Sequence, residues 1–408
     1  MTTFKELYKN LVKTELQDQN FDKNDLNCLL NPKYNAPKHK IGEYCCSNEA
    51  YSACAGKHLL DVLVKDEKGN LTIDKALCID CKVNVENCSA KKFAASKDVL
   101  PVIKVLTDQK GPVYALIAPA FNGQFRADVT PGKLRSAFKA LGFCGMIEVA
   151  LFADILTLKE ALEFDRNIKN EGDFQLTSCC CPIWITMIRK IYHELMPHVP
   201  GSVSPMIAAG RTLKRIHPHS VTVFVGPCVA KKAEAKEKDL LGAIDFVLTF
   251  KEMQEIFKFS NLFPENMPEN IKDHSSKAGR CYASAGGVSE AVEKTLKRLN
   301  PSREIKFKSK MAHGVSACKQ MIEEIRSGNI KANFFEGMGC FGGCVGGPKA
   351  ILDKNEGKNN VEKYGNQAAY EVPIDNPYVI ELLHILGFDT VEQLLNDNEL
   401  FTRKFVNN

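Results

Sequence analysis

From about residue 100 onward, short apolar runs alternate with stretches whose apolar residues recur every three or four positions. Val113–Ala118, Met146–Leu151, Val221–Val225, Phe246–Phe250 and Ala332–Phe335 read as buried strands, since a strand covered on both faces shows a short continuous apolar run. Glu160–Lys169, Ile185–Met196, Ser289–Arg298 and Cys318–Arg326 carry the helical period. Strands alternating with helices predict an α/β architecture. Pro119, Cys228 and Cys340 each come soon after one of these strands, and ligand sites in open α/β sheets lie beyond the carboxyl ends of the strands. Residues 351–375 are polar and read as loop. Pro377–Phe388 and Val391–Leu400 then read as two short helices. No repeat with a period of 20–50 residues is visible.

The first hundred residues have another texture. Residues 1–40 are polar, with Phe4–Gln17 as a short amphipathic helix before Asn31-Pro32 and Ala36-Pro37. Residues 41–95 hold Cys45, Cys46, Cys54, Cys78, Cys81 and Cys88, and Leu71-Thr72-Ile73-Asp74 alternates like a short strand. The pattern divides the chain into a cysteine-rich module over residues 1–95, an α/β core over 96–350 and a helical segment over 351–408.

Composition narrows the chemistry. The 408 residues are 44% hydrophobic and carry a net charge of +5 with no long basic run, which argues against nucleic acid as a partner. Lys231-Lys232 and Lys236-Glu237-Lys238 read as solvated helical faces. No apolar stretch reaches the length of a membrane span, and the first residues lack the apolar core of a signal peptide. The 16 cysteines are therefore expected in a reducing cytoplasm, where such residues bind metals or do chemistry rather than form disulfides. The nine histidines form no pairing typical of a metal site.

Three segments concentrate the signal. Phe334-Phe335-Glu336-Gly337-Met338-Gly339-Cys340-Phe341-Gly342-Gly343-Cys344-Val345-Gly346-Gly347 places two thiols among glycines. Thiolates select iron–sulfur clusters, zinc or copper(I), and glycine lets a backbone approach a bulky ligand. Zinc sites usually repeat such a pair, and here it is not repeated. Thr177-Ser178-Cys179-Cys180-Cys181-Pro182-Ile183-Trp184 carries three consecutive cysteines and the single Trp of the chain. Gly226-Pro227-Cys228-Val229-Ala230-Lys231-Lys232-Ala233-Glu234 sets a cysteine three residues before a lysine. In this order, the three segments resemble the signature motifs of the [FeFe]-hydrogenases. The triple cysteine resembles the variant of one bacterial branch, group B.

The resemblance covers residues 105–350 well and implies a core of two α/β lobes with a cluster between them, preceded by a small ferredoxin-like iron–sulfur module. It implies that Cys181, Cys228, Cys340 and Cys344 hold a [4Fe–4S] cubane, and that Cys344 bridges to a two-iron subsite bearing CO, cyanide and an azadithiolate. Cys181 is aligned through Pro182 and Trp184; an insertion absorbed on the other side would shift this register by one. Lys231 would hydrogen-bond a cyanide, with Glu234 fixing the lysine or capping a helix. Ala118, Pro119, Ser204, Pro205, Met206 and Met338 would contact the subsite. Gly226 and Met206 depart from the better-known branch, which carries Met and often a polar amide there, and would loosen or dry the pocket.

Cys180, Glu160 and Glu163 match family members of a proton relay. The family's intervening serine aligns near Pro200, with Ser202 as a substitute, and its exit arginine near Asn167, beside Arg166. The two glutamates read equally well as surface carboxylates on an ordinary helix. Cys78, Cys81 and Cys88 resemble a bacterial ferredoxin run, with Cys45, Cys46 or Cys54 as a fourth ligand and His58 as another candidate. One or two additional [4Fe–4S] clusters follow, or a zinc site on the same thiols. Cys144, Cys281 and Cys318 read as small buried hydrophobes, and Tyr282 as core or pocket lining. The implied activity is reversible proton reduction to H2, with a ferredoxin-like electron carrier and hydrogenase maturation proteins as partners. A slow-turnover hydrogen or redox sensor and a hydrogenase-like iron–sulfur assembly protein are the alternatives.

Overall fold

Two parallel sheets form the frame of the chain. The computed structural model describes residues 98–405 other than Gln109, Ser178, Cys179 and Ile330, together with a two-stranded antiparallel ribbon, β1 (Leu63–Lys65) and β2 (Leu71–Ile73). The first large sheet is built from β3 (Val113–Ile117), β4 (Gly145–Glu148), β6 (Val221–Gly226) and β7 (Phe246–Thr249), in the order β4-β3-β6-β7. Its strands are mostly apolar, as parallel strands covered on both faces tend to be, with Glu148, Thr222 and Thr249 as the polar exceptions. The second sheet, β5 (Gln175–Leu176), β9 (Phe334–Met338) and β8 (Ser309–His313), has the order β5-β9-β8 and is also parallel.

Helices α1 (Val99–Asp108), α2 (Pro131–Ala140), α5 (Pro205–Ile216) and α7 (Phe250–Phe259) pack in the core of the first sheet. Helices α4 (Pro182–Ile191), α9 (Gly287–Leu299) and α10 (Val315–Arg326) pack in the core of the second. Helix α3 (Ala150–Asn167) belongs to both. Phe152, Ile155, Leu156 and Leu158 join the first core, and Ala153, Ala161 and Phe164 the second. Short helices α6 (Ala230–Glu234) and α8 (Lys277–Cys281) follow the loops at the interface. Beyond the second sheet come α11 (Lys354–Gly365), α12 (Pro377–Ile385) and α13 (Val391–Leu395).

The α/β class and two-lobed core follow the sequence expectation, with corrections in detail. The apolar run Met146–Leu151 is split, because strand β4 ends at Glu148 and α3 begins at Ala150. Residues 351–375 are not all loop: α11 lies within them, capped by Asp353, and Tyr364 at its end donates to the buried Glu148 carboxylate at 2.8 Å. Lys231 and Lys232 are buried rather than solvated. Lys232 donates to the Val247 carbonyl at 2.6 Å and lies 3.4 Å from Glu252. Cys144 is exposed at the turn between α2 and β4, whereas Cys318 is buried as expected. The amphipathic helix at Phe4–Gln17 and the six cysteines of the N-terminal module lie outside the described residues.

Candidate active site

In the first sheet the chain leaves β3, lays β4 on one side and later lays β6 on the other. This reversal opens a crevice beyond the carboxyl ends of β3 and β6, where doubly wound sheets take ligands. Ala118 and Pro119 follow β3, and Pro227, Cys228 and Lys231 follow β6. The Ala118 amide donates to the Val225 carbonyl at 2.9 Å, which fixes the two loop starts against each other. The second sheet turns its own carboxyl ends to the same place: β5 leads into Cys180 and Cys181, and β9 into Cys340 and Cys344.

Close packing brings the second set of loops into position. A Cβ on Gly337 would sit 2.0 Å from the Trp184 ring, so only glycine lets α4 press this tightly on β9. The Gly339 amide then lies 3.4 Å from the Cys181 sulfur as a donor. Gly343 has φ +90°, which glycine adopts without strain. It lets the Cys344 loop lie along residues 283–285, with Ala285 donating to Gly342 at 2.9 Å and Val345 to Ala283 at 3.1 Å. Lys349 donates to the Pro227 carbonyl at 2.9 Å, which ties the two lobes together beside Cys228.

These loops enclose a cavity of about 60 Å³, several times the about 10–15 Å³ that one water requires. Cys180, Cys228, Cys344, Lys231 and Tyr282 are its polar lining, against an apolar wall that includes Phe224, Met206 and Met338. Ala118, Pro119 and Pro205 complete one side. Cys228 also faces a more open cleft of about 480 Å³ that includes Cys340, Ile183 and Phe341. Among the described residues, no three His, Cys, Asp or Glu side chains converge as ligands of one metal ion would. The thiols are instead distributed across the wall between the cavity and the cleft.

Burial governs the electrostatics. It pushes the Cys228 thiol up to about 12, with the neighbouring Cys344 and Cys181 sulfurs adding to the rise and Lys231 opposing it. Cys344 is likewise pushed up to about 12 by burial and then by Cys181. Cys180 is raised well above the ordinary thiol value by burial, with Cys181 and Glu160 contributing. A metal binding these sulfurs must therefore displace protons. Lys231 is 7% exposed. Burial alone would lower its pKa, but the Glu234 carboxylate, 2.6 Å away, more than offsets that, and the net shift is upward. The ammonium also donates to the Cys180 carbonyl at 3.2 Å, linking the loop after β6 to the loop after β5. A fixed cation beside three neutral thiols suits an anionic or metal-bound ligand.

Cys180, Cys228, Cys344, Lys231, Ala118, Pro119, Pro205, Met206 and Met338 thus share one cavity. Ser204 stands just behind it as the buried N-cap of α5. Cys181 lies behind the lining and Cys340 on the cleft side. Glu160 and Glu163 are buried on α3 rather than at the surface, and Glu160 is electrostatically coupled to Cys180 and Tyr282. Tyr282 lines the cavity, one of the two places the sequence offered it, and Phe224 is a lining residue that the sequence did not single out. Gly226, absent a side chain, leaves its space to the Phe224 ring, whose edge would stand 2.7 Å from an added Cβ. The space beside Gly226 is filled by the Phe224 ring rather than left open.

Comparison with known proteins agrees with this geometry. The family model for the iron-only hydrogenase large subunit, C-terminal domain, matches residues 111–348. Iron hydrogenase 1 of Clostridium pasteurianum is 29% identical over 312 residues, 66% of this chain and 54% of that protein, so the chain spans about half the length of this relative. The periplasmic [Fe] hydrogenase large subunit of Nitratidesulfovibrio vulgaris is 27% identical over 64% of this chain and 74% of its own. A cytosolic Fe–S cluster assembly factor, a NAR1 homolog of Schizosaccharomyces japonicus, is 32% identical over 102 residues, 22% of this chain and 20% of its own. Among solved structures, an [FeFe]-hydrogenase HydA studied for stepwise H-cluster assembly superposes with a TM-score of 0.61 at 20% identity, over 75% of this chain and 98% of that one. The fold is therefore that of the [FeFe]-hydrogenases. Among the described residues no helix is long and apolar enough to cross a membrane.

Proposed function

Because this chain belongs to the iron-only hydrogenase family, whose large-subunit domain matches residues 111–348, we propose that it is an [FeFe]-hydrogenase, interconverting protons and electrons with H2. The observation that carries the reading is the meeting of Lys231 with Cys180, Cys228 and Cys344 around one apolar-walled cavity. In this reading Cys181, Cys228, Cys340 and Cys344 hold a [4Fe–4S] cubane. Cys344 would also hold a two-iron subsite with CO, cyanide and azadithiolate. When bound, that cofactor supplies the Lewis-acidic metal and the base between which dihydrogen is split.

The protein's own residues do the rest. Lys231 presents a fixed positive charge for an anionic ligand, and Glu234 holds that charge in place. Phe224, Met206 and Met338 exclude water, which strengthens every charge interaction inside the cavity. Cys180 offers an exchangeable proton at the wall, with Glu160 behind it. Cys45, Cys46, Cys54, Cys78, Cys81 and Cys88 would hold one or two further [4Fe–4S] clusters, which would supply electron transfer to a ferredoxin-like carrier in a reducing cytoplasm. Hydrogenase maturation proteins deliver the two-iron subsite.

The test is anaerobic maturation followed by infrared spectroscopy and dye-driven hydrogen evolution. CO and cyanide bands with turnover support the proposal. The local match to a cluster-assembly factor favours a second reading, in which the chain carries or transfers iron–sulfur clusters. That reading requires iron and sulfide in the protein with neither set of bands.

A further inference from the structure

Helix α3 carries a buried ion pair that the roles above leave unused. Lys159 and Glu163 stand one turn apart with side chains 2% and 8% exposed, and Nζ lies 2.5 Å from Oε1. The same Nζ donates to the Ser202 hydroxyl at 3.1 Å. Ser202 is itself buried, and its backbone pairs antiparallel with that of Thr402 in the C-terminal segment, a half-buried residue whose hydroxyl is buried without a hydrogen-bond partner. Packing α3 between two apolar cores gives no reason for an ammonium here, because an apolar side chain of similar volume would avoid its desolvation. The other Glu163 oxygen, Oε2, is buried without a hydrogen-bond partner. One turn back on the same face lies Glu160, coupled to Cys180 and Tyr282 at the cavity. Buried polar groups are therefore spaced from the cavity wall to the C-terminal edge, with Lys159 at the joint.

We propose that Lys159 is a positioning residue of the proton path, an inference that rests on the hydrogenase reading. Its ammonium holds Glu163 toward Glu160 and ties it to Ser202, so that protons entering beside Thr402 reach Glu163 through one fixed set of hydrogen bonds. In one passage, water entering beside Thr402 gives a proton to Glu163 Oε2, the oxygen without a hydrogen-bond partner, while Lys159 stays an ammonium on Oε1. Glu163 then passes the proton to Glu160 and returns to a carboxylate. One proton has moved inward and no redox change has occurred.

The test uses the anaerobically matured full-length protein with Lys159→Met, which keeps an unbranched apolar stem, and Lys159→Arg, which keeps the charge. Lys159→Met should retain iron content and CO and cyanide bands while losing about 100-fold or more of its dye-driven turnover, with a larger solvent deuterium isotope effect. Lys159→Arg should restore most of that loss. Independently of turnover, Lys159→Met should gain the infrared carbonyl band of a protonated carboxyl, assigned to Glu163 by its absence in the double variant with Glu163→Gln. Normal turnover in Lys159→Met overturns the proposal whatever the band does. Loss of turnover together with iron and both sets of cofactor bands also overturns it, because Lys159 then serves folding alone. If Lys159→Met does not accumulate, Ser202→Ala decides: slowed turnover with a raised isotope effect supports the path, and unchanged values overturn it. Wild-type protein without CO and cyanide bands instead sinks the hydrogenase reading, while the carboxyl band still reports the Lys159–Glu163 coupling.

Discussion

The two sheets meet the same cavity with different chemistry. The four-stranded sheet brings Ala118, Pro119, one thiol at Cys228, and the Lys231–Glu234 pair. The three-stranded sheet brings Cys180, Cys181, Cys340 and Cys344 on glycine-loosened loops, with no cation among the cavity-lining residues it supplies. The cation thus arrives on a loop from one sheet and most of the sulfur on loops from the other. Neither lobe alone composes the site, and its geometry depends on how α3 and the Pro227–Lys349 contact hold the lobes together. The lobe rich in thiols should govern whether metal binds. The lobe with the lysine should govern what completes it.

The largest effects fall on the thiol-rich lobe. Cys344→Ala should abolish hydrogen turnover and the CO and cyanide bands, and Cys181→Ala should lose the cubane, as read by iron analysis. Cys180→Ala should keep its iron and lose most of its rate. If Cys180→Ala loses iron and Cys181→Ala keeps it, the assignment of the cysteine run moves by one residue.

On the other lobe, Lys231→Ala should leave the cubane in place but prevent retention of the two-iron subsite. It should also lower stability by about 3–5 kcal/mol, because Glu234 becomes a buried charge without its partner. Iron content, infrared bands and a urea transition measure the three effects. Equal loss of cubane and two-iron subsite would erase the division of labour between lobes.

The packing inside the thiol-rich lobe can be loosened without touching a ligand. Gly337→Ala forces a methyl against the Trp184 ring and should cost about 1–3 kcal/mol in denaturant unfolding. Cluster loading should fall with it, through the displaced Cys181 loop. Full stability in this variant would mean that Trp184 is free to move.

A smaller, pH-dependent effect belongs to Asp154, on α3 where both cores meet. Burial raises its pKa from 3.8 to about 7, against hydrogen bonds from Ser276 and Asn376 that pull it down. A carboxyl raised in the folded state favours folding when protonated. Its contribution is full below pH 3.8 and is lost as the pH rises to about 7. The stability of the apo-protein should decline over this window. Asp154→Asn should flatten the decline, and an unchanged slope would assign it to other carboxyls.

Much of the first sheet was legible because β3, β6 and β7 are largely buried on both faces and therefore mostly apolar. The three cysteine-bearing loops were legible because thiols and glycines cluster where strands end. Strand β8 was not: Ser309, Lys310 and Met311 are exposed, so no apolar run marks it. Helix α3 was read only in its second half, since a helix packed on both sides lacks the one-sided stripe that betrays a helix. Lys159 sits at the end of that unread stretch, one turn before Glu163. Charged residues at helical spacing look solvated until two cores are known to close over them. Helix α11 carries glycines and asparagines of poor helix propensity, and it is held by Tyr364 on Glu148 and by the packing of Val361. Cys144 sits among Phe143 and Met146, whose side chains turn inward while its own turns out.

The most direct measurement of the central claim is the infrared spectrum of the anaerobically matured protein, recorded with its iron content beside the Cys344→Ala variant. The account predicts CO and cyanide bands in the wild type, hydrogen evolution from a reduced dye, and loss of both in the variant. A wild-type protein that binds iron and sulfide, shows neither set of bands and evolves no hydrogen would contradict it.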